Sequence, residues 1–183
     1  MVKKAILGII IAVIVIIGIF CLVVAMQPAD FTITRSGTIS ASPERVFEQI
    51  NDFHKWEAWS PWAKLDPAMK TTYTGPASGV SSTYSWIGND DVGEGKMTVL
   101  ESHPTDHIKI ELEFIRPFAA NNIIEFKLKT DGNKTDITWT MSGKNNFVSK
   151  AFNLVMNMDK LVGNDFEKGL AQLKAVAEAE PRP

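Results

Sequence analysis

The chain has 183 residues, 45% of them hydrophobic and 22% charged, with a formal charge of −2. Two of its 19 basic residues, Lys3 and Lys4, precede a long apolar run, which leaves 17 basic against 21 acidic residues in the remainder. That balance argues against nucleic-acid binding, which needs a basic face to displace counterions from phosphates. The single cysteine, Cys21, rules out an internal disulfide and any CxxC or multi-cysteine zinc site.

Residues 5–26 (AILGIIIAVIVIIGIFCLVVAM) carry no charge. As a helix this run spans roughly 33 Å, matching a hydrocarbon core of about 30 Å. Lys3 and Lys4 on its short side place residues 1–4 in the cytoplasm and the rest of the chain outside. A cleaved signal peptide has a shorter apolar region, of about 7–15 residues, and ends at a small-x-small site. Here the exit Val23-Val24-Ala25 is a poor cleavage site, and bulky Phe20 before Cys21 makes a poor lipoprotein signal. An uncleaved transmembrane anchor over 5–26 is therefore expected, followed by a linker over 27–30 and one domain over 31–180.

Residues 31–39 (FTITRSGTI) read as a strand. In the following SPERVFEQI, Ser42 is a natural N-cap, Pro43 suits the first helical position, and Val46, Phe47 and Ile50 form one face of a short helix. A second short helical piece holds residues 53–59 and ends at Pro61. Strands are expected at 69–74, 81–87 and 95–102, separated by glycine-rich turns. In 107–115, Ile108, Ile110, Leu112 and Phe114 alternate with Lys109, Glu111 and Glu113. Ile124, Phe126 and Leu128 alternate in the same way, as do Ile137, Trp139 and Met141 beyond the Asp131-Gly132-Asn133 hairpin turn. Period-2 alternation with short turns implies an antiparallel sheet with one wet and one buried face. On a wheel of about 100° per residue the C-terminal segment reads as one long helix, with an apolar stripe running from Val148 through Phe152, Val155, Val162, Phe166, Leu170 and Leu173 to Ala177.

Four strings carry a family resemblance: WEAWSPW at 56–62, YTGPASGVSSTYSWIGND at 73–90, VGEGKMTV at 92–99 and MDKLVGNDFEKGLAQLK at 158–174. With the element order, they resemble the SRPBCC superfamily, also called START-like or polyketide-cyclase-like, and its membrane-tethered bacterial branch. The resemblance covers 31–178. It implies an α+β helix-grip fold, with a curved antiparallel sheet of six or seven strands wrapped around a long C-terminal helix. It also implies a cavity between sheet and helix for an apolar ligand; with the Lys3-Lys4 flank of the anchor, the domain is expected on the outer side of a bacterial cytoplasmic membrane.

No catalytic constellation stands out. His103 and His107 lie on a polar hairpin with no third ligand evident, His54 is isolated, and no G-x-S-x-G elbow occurs; neither metal nor cofactor is expected. Asp159 falls near the centre of the apolar stripe, with Gly163 one turn later leaving room beside it. A carboxyl so placed is expected to face the cavity, with its pKa raised by burial. The expected cavity lining is Tyr73, Tyr84, Trp86, Phe114, Phe126, Trp139, Phe152 and Met156, with Asp159 as the only catalytic candidate. The leading expectation is a binding module for a lipid or other hydrophobic small molecule. An acid–base cyclase or hydrolase using Asp159 and a co-chaperone-like interaction module are the alternatives.

Overall fold

The structure, a computed structural model, describes residues 2–179. Residue 180, where the domain is expected to end, lies outside the described residues.

Helix α1 covers Val2–Ala25 and stands clear of the rest of the chain except at its C-terminal end, where Val24 is fully buried. Strand β1 (Asp30–Ile39) follows. Helix α2 (Pro43–Asn51) begins at Pro43, whose fixed φ suits a first turn, and buries Val46, Phe47 and Ile50 as its spacing requires. A 3-10 turn at Phe53–Ala58 is capped by the Asp52 carboxylate, which accepts from the His54 amide. Six further strands follow: β2 (Lys70–Thr74), β3 (Thr83–Ile87), β4 (Glu94–His103), β5 (His107–Arg116), β6 (Ala120–Asp131) and β7 (Lys134–Lys144).

The seven strands form one antiparallel sheet in the order β1-β7-β6-β5-β4-β3-β2. Its inner face is the one the alternation predicts: Ile108, Ile110, Ile124, Phe126, Leu128, Ile137 and Trp139 are all buried. Gly132 turns β6 into β7 at φ +58°, a left-handed conformation that costs glycine little because it has no Cβ. Between β4 and β5 the register slips at Leu100, leaving it unopposed, which is a bulge. β1 closes the sheet against β7, so the first strand of the domain lies beside the last.

The C-terminal segment departs from the expected single helix. It forms α3 (Phe147–Val155) and α4 (Met158–Ala179), separated at Met156, which has extended backbone angles. Asn157 sets the break: its side chain accepts from the Lys160 amide at 2.9 Å, satisfying an orphan donor at the start of a new helix. One wheel phase therefore cannot describe both pieces. α4 buries Gly163, Phe166, Gly169, Leu170, Leu173 and Ala177 against the sheet, each large side chain contributing about 1.5–3 kcal/mol by burial. No residue of α3 is buried.

Candidate functional site

Two cavities lie against the inner face of the sheet. The larger, about 860 Å³, is floored by β1, β7, β6 and β5 and roofed by α3 and the first turns of α4. The smaller, about 500 Å³, lies between the 3-10 turn, β2 and β3. Trp62, Leu112 and Phe114 border both. Volumes of about 300–1,000 Å³ are those of small-molecule sites.

The expected lining residues divide between these spaces. Tyr73, Tyr84, Trp86 and Phe114 border the smaller cavity; Phe114, Trp139, Phe152, Met156 and Asp159 border the larger. Phe126 borders neither and is corrected to a core residue. It is fully buried, with its ring 4.9 Å from that of Trp139 and 6.1 and 6.2 Å from those of Trp56 and Trp59. An inward position on a central strand points equally toward core and cavity, and the 3-10 turn fills the space above this one.

The expected burial of Asp159 is also corrected. Its side chain is 62% exposed and stands at the rim of the larger cavity. The cause is the break at Met156 and Asn157, which restarts the helix so that Asp159 falls in a first turn. It faces Arg35 of β1. Arg35 Nε donates to Glu167 Oε1 at 2.8 Å, and its Nη atoms reach both Asp159 carboxylate oxygens at 3.3 Å. Gly163 leaves room for this guanidinium, since a Cβ there would collide with it. The gap beside Asp159 anticipated from sequence is thus taken by an arginine. These two carboxylates, Asp159 first, hold the Arg35 pKa above its ordinary value.

Two polar residues at the sheet's inner face were missed from sequence. Arg35 is in phase with Ile33 and Ile39, and Asn122 is in phase with Ile124 and Phe126. A polar residue at an inward position of an alternating strand was the signal available. Asn122 is buried and borders the larger cavity. Among the buried tryptophans, Trp56, Trp59 and Trp86 donate to backbone carbonyls at 2.8–3.0 Å. The Trp139 indole N–H has no acceptor among the described residues.

At the smaller cavity, Tyr84 stacks near Trp86 with ring centroids 5.8 Å apart, and Tyr73 lies 5.3 Å from Tyr84. Burial pushes the Tyr84 phenol up to about 12 and raises that of Tyr73.

The hairpin histidines do have a third neighbour, which corrects the expectation of an isolated pair. Donor atoms of Glu101, His103 and His107 lie within 4.8 Å of one another. The register slip at Leu100 puts Glu101 on the outer face with them. Lys109 already donates to Glu101 at 3.1 Å, and the cluster lies on the outer face, away from both cavities, with His107 Nε2 lacking a hydrogen-bond partner among the described residues.

A family model described as polyketide cyclase / dehydrase and lipid transport matches residues 30–178. Among solved structures, a protein from Chromobacterium violaceum is similar at 17% identity and a TM-score of 0.60, over 81% of this chain and 98% of that one. Aha1 from Colwellia psychrerythraea, solved as a dimer, is similar at 20% identity and a TM-score of 0.58, over 81% and 97%. A Staphylococcus epidermidis protein follows at 14% identity and a TM-score of 0.56, over 86% and 94%. At these identities the likeness bears on fold alone. No protein of curated function matches the chain.

Proposed function

The chain belongs to the polyketide cyclase / dehydrase and lipid transport family, and from that membership we propose that it is a membrane-tethered binding module for a lipid or another mostly apolar small molecule. The observation that carries this reading is the larger cavity, about 860 Å³ in volume, with Phe31, Ile124, Met141 and Phe152 among its walls. Such walls favour an apolar body, because burying it removes hydrocarbon surface from water. Asn122, buried at an inward strand position, offers hydrogen bonds to one polar end.

The acid–base alternative draws no support from the site. It needs a carboxyl enclosed by apolar groups, and Asp159 is exposed and engaged by Arg35.

The proposed tether is α1, a 24-residue helix long and apolar enough to cross a membrane. Lys3 and Lys4 support an N-terminus in the cytoplasm and a domain on the outer side of the cytoplasmic membrane. A reporter fused after Pro183 is then active only outside the cytoplasm, and a mature N-terminus near Met26 would instead mark α1 as a removed signal.

Mass spectrometry of molecules extracted from the detergent-purified full chain tests the binding reading. The expected result is a bound apolar molecule that Phe152→Glu, in the cavity wall, depletes. A wild-type protein that retains nothing when purified from its membrane, and takes up no lipid from mixed micelles, overturns it.

A further inference from the structure

The end of α1 is fastened to the domain at one place. Val24 is fully buried, α1 packs on α3, and Lys150 of α3 donates to the Ala25 carbonyl at 3.5 Å. The chain then enters β1, whose first residue, Asp30, pairs with Lys144 at the end of β7, three residues before α3 begins. A 24-residue helix is about 36 Å long, enough to cross a hydrocarbon core of about 30 Å. If α1 spans, Ala25 lies at the bilayer surface, and a helix touching Val24 and Ala25 lies at that surface too.

The residues brought there are apolar and uncovered. Val155 is 82% exposed, and Phe147, Phe152, Met156 and Leu161 are exposed as well. Phe118, in the turn between β5 and β6, is also exposed and lies 6.0 Å, ring to ring, from Phe152. That turn is at the same end of the sheet, because Asn122 pairs with Gly143 beside the end of β7. Phe118, Phe152, Val155, Met156 and Leu161 all border the larger cavity. The exposed apolar patch is therefore the rim of the cavity itself.

Resting on the reading of α1 as an uncleaved anchor, we infer that α3 and the Phe118 turn seat in the surface of the membrane that α1 crosses. The larger cavity then opens onto acyl chains, and an apolar ligand passes between bilayer and cavity without crossing water. The bilayer is the occupant that covers this patch. An amphipathic helix lies in an interface with its apolar side down, and Lys150 at the helix exit stands at headgroup depth. A long α1 linker would make the patch's position arbitrary; here only residues 26–29 separate α1 from β1.

The test uses the full chain in vesicles of phosphatidylethanolamine and phosphatidylglycerol. In a Cys21→Ser background, an environment-sensitive fluorophore is attached through Val155→Cys, through Phe118→Cys, or through Asn133→Cys as a control. Asn133 lies in the β6–β7 turn, roughly 33 Å along β7 from the α1 end. The expected result is a blue-shifted emission, quenched by doxyl-labelled lipid, at positions 155 and 118 and not at 133. Emission at 155 and 118 as solvent-like as at 133 overturns the inference. The substitution Phe147→Asp, at an exposed apolar position of α3 outside the cavity wall, is expected to slow uptake of a pyrene-labelled phosphatidylglycerol from the vesicle by about threefold or more. An unchanged uptake rate also overturns it. Ligand extracted from the same samples separates the two readings: lipid retained by a protein whose labels face water removes the membrane seat alone, while seated labels with no lipid retained remove the binding function.

Discussion

Arg35 joins the first strand of the domain to the first turn of its last helix through Asp159: Nη2 donates to the Asp159 backbone carbonyl at 3.0 Å, while the carboxylate oxygens lie 3.3 Å from the guanidinium. The pair is largely open to water on the aspartate side, and exposed pairs contribute little. Asp159→Asn is expected to shift Tm by less than about 4 °C. Arg35→Ala is expected to lower Tm further, because it also releases Glu167. Equal effects of the two substitutions in thermal unfolding would show that Glu167 adds nothing.

Phe126 and Phe152 are both aromatic and both were expected in the cavity wall, yet they occupy different environments. Phe126→Ala empties a fully buried site and is expected to cost about 3–5 kcal/mol in urea unfolding. Phe152→Ala, at an exposed position, is expected to change stability by no more than about 0.5 kcal/mol while lowering ligand retention. Loss of stability at Phe152 comparable to that at Phe126 would place its ring in the core.

Gly169 is set by close approach. A Cβ there would stand 2.7 Å from Trp139 Cζ3 and 3.3 Å from Pro61 Cδ. Trp139 has little freedom to yield, since it stacks on Phe166 with ring centroids 4.1 Å apart. Gly169→Ala gains helix propensity of about 1 kcal/mol but overpacks this contact, and a net loss of about 1–2 kcal/mol is expected. A more stable variant would show that the helix moves outward without cost.

Tyr73 and Tyr84 are the chain's two tyrosines, so absorbance at alkaline pH reads them alone. Both are expected to ionise above the ordinary value of 10, with Tyr84 near 12. A phenol whose folded pKa is raised binds its proton more tightly folded than unfolded. Its contribution to stability is complete below pH 10 and is lost as pH rises toward 12. Urea midpoints are therefore expected to fall across that interval. Two tyrosines ionising together near 10 in the folded protein would show that the smaller cavity is fully hydrated.

The apolar N-terminal helix, the strands and the hairpin at Gly132 are local in origin, and the sequence by itself determined them. Hydrophobic run length, period-2 alternation and a glycine in a turn act over a few residues, so Ile108, Ile110, Leu128 and Ile137 are buried where the pattern put them. The division of inward residues between core and cavity was not local. Phe126 and Phe114 hold equivalent strand positions, and only the packing of the 3-10 turn over one of them separates their roles. The helix break lay between. The Asn157 side chain marks it, but a continuous apolar stripe masked it, and with it the exposure of Asp159. Tertiary structure alone decided that Arg35, more than a hundred residues away in sequence, occupies the space beside Gly163, and that α3 meets the end of α1. Contacts at that separation depend on how β1 closes onto β7, which no local pattern encodes.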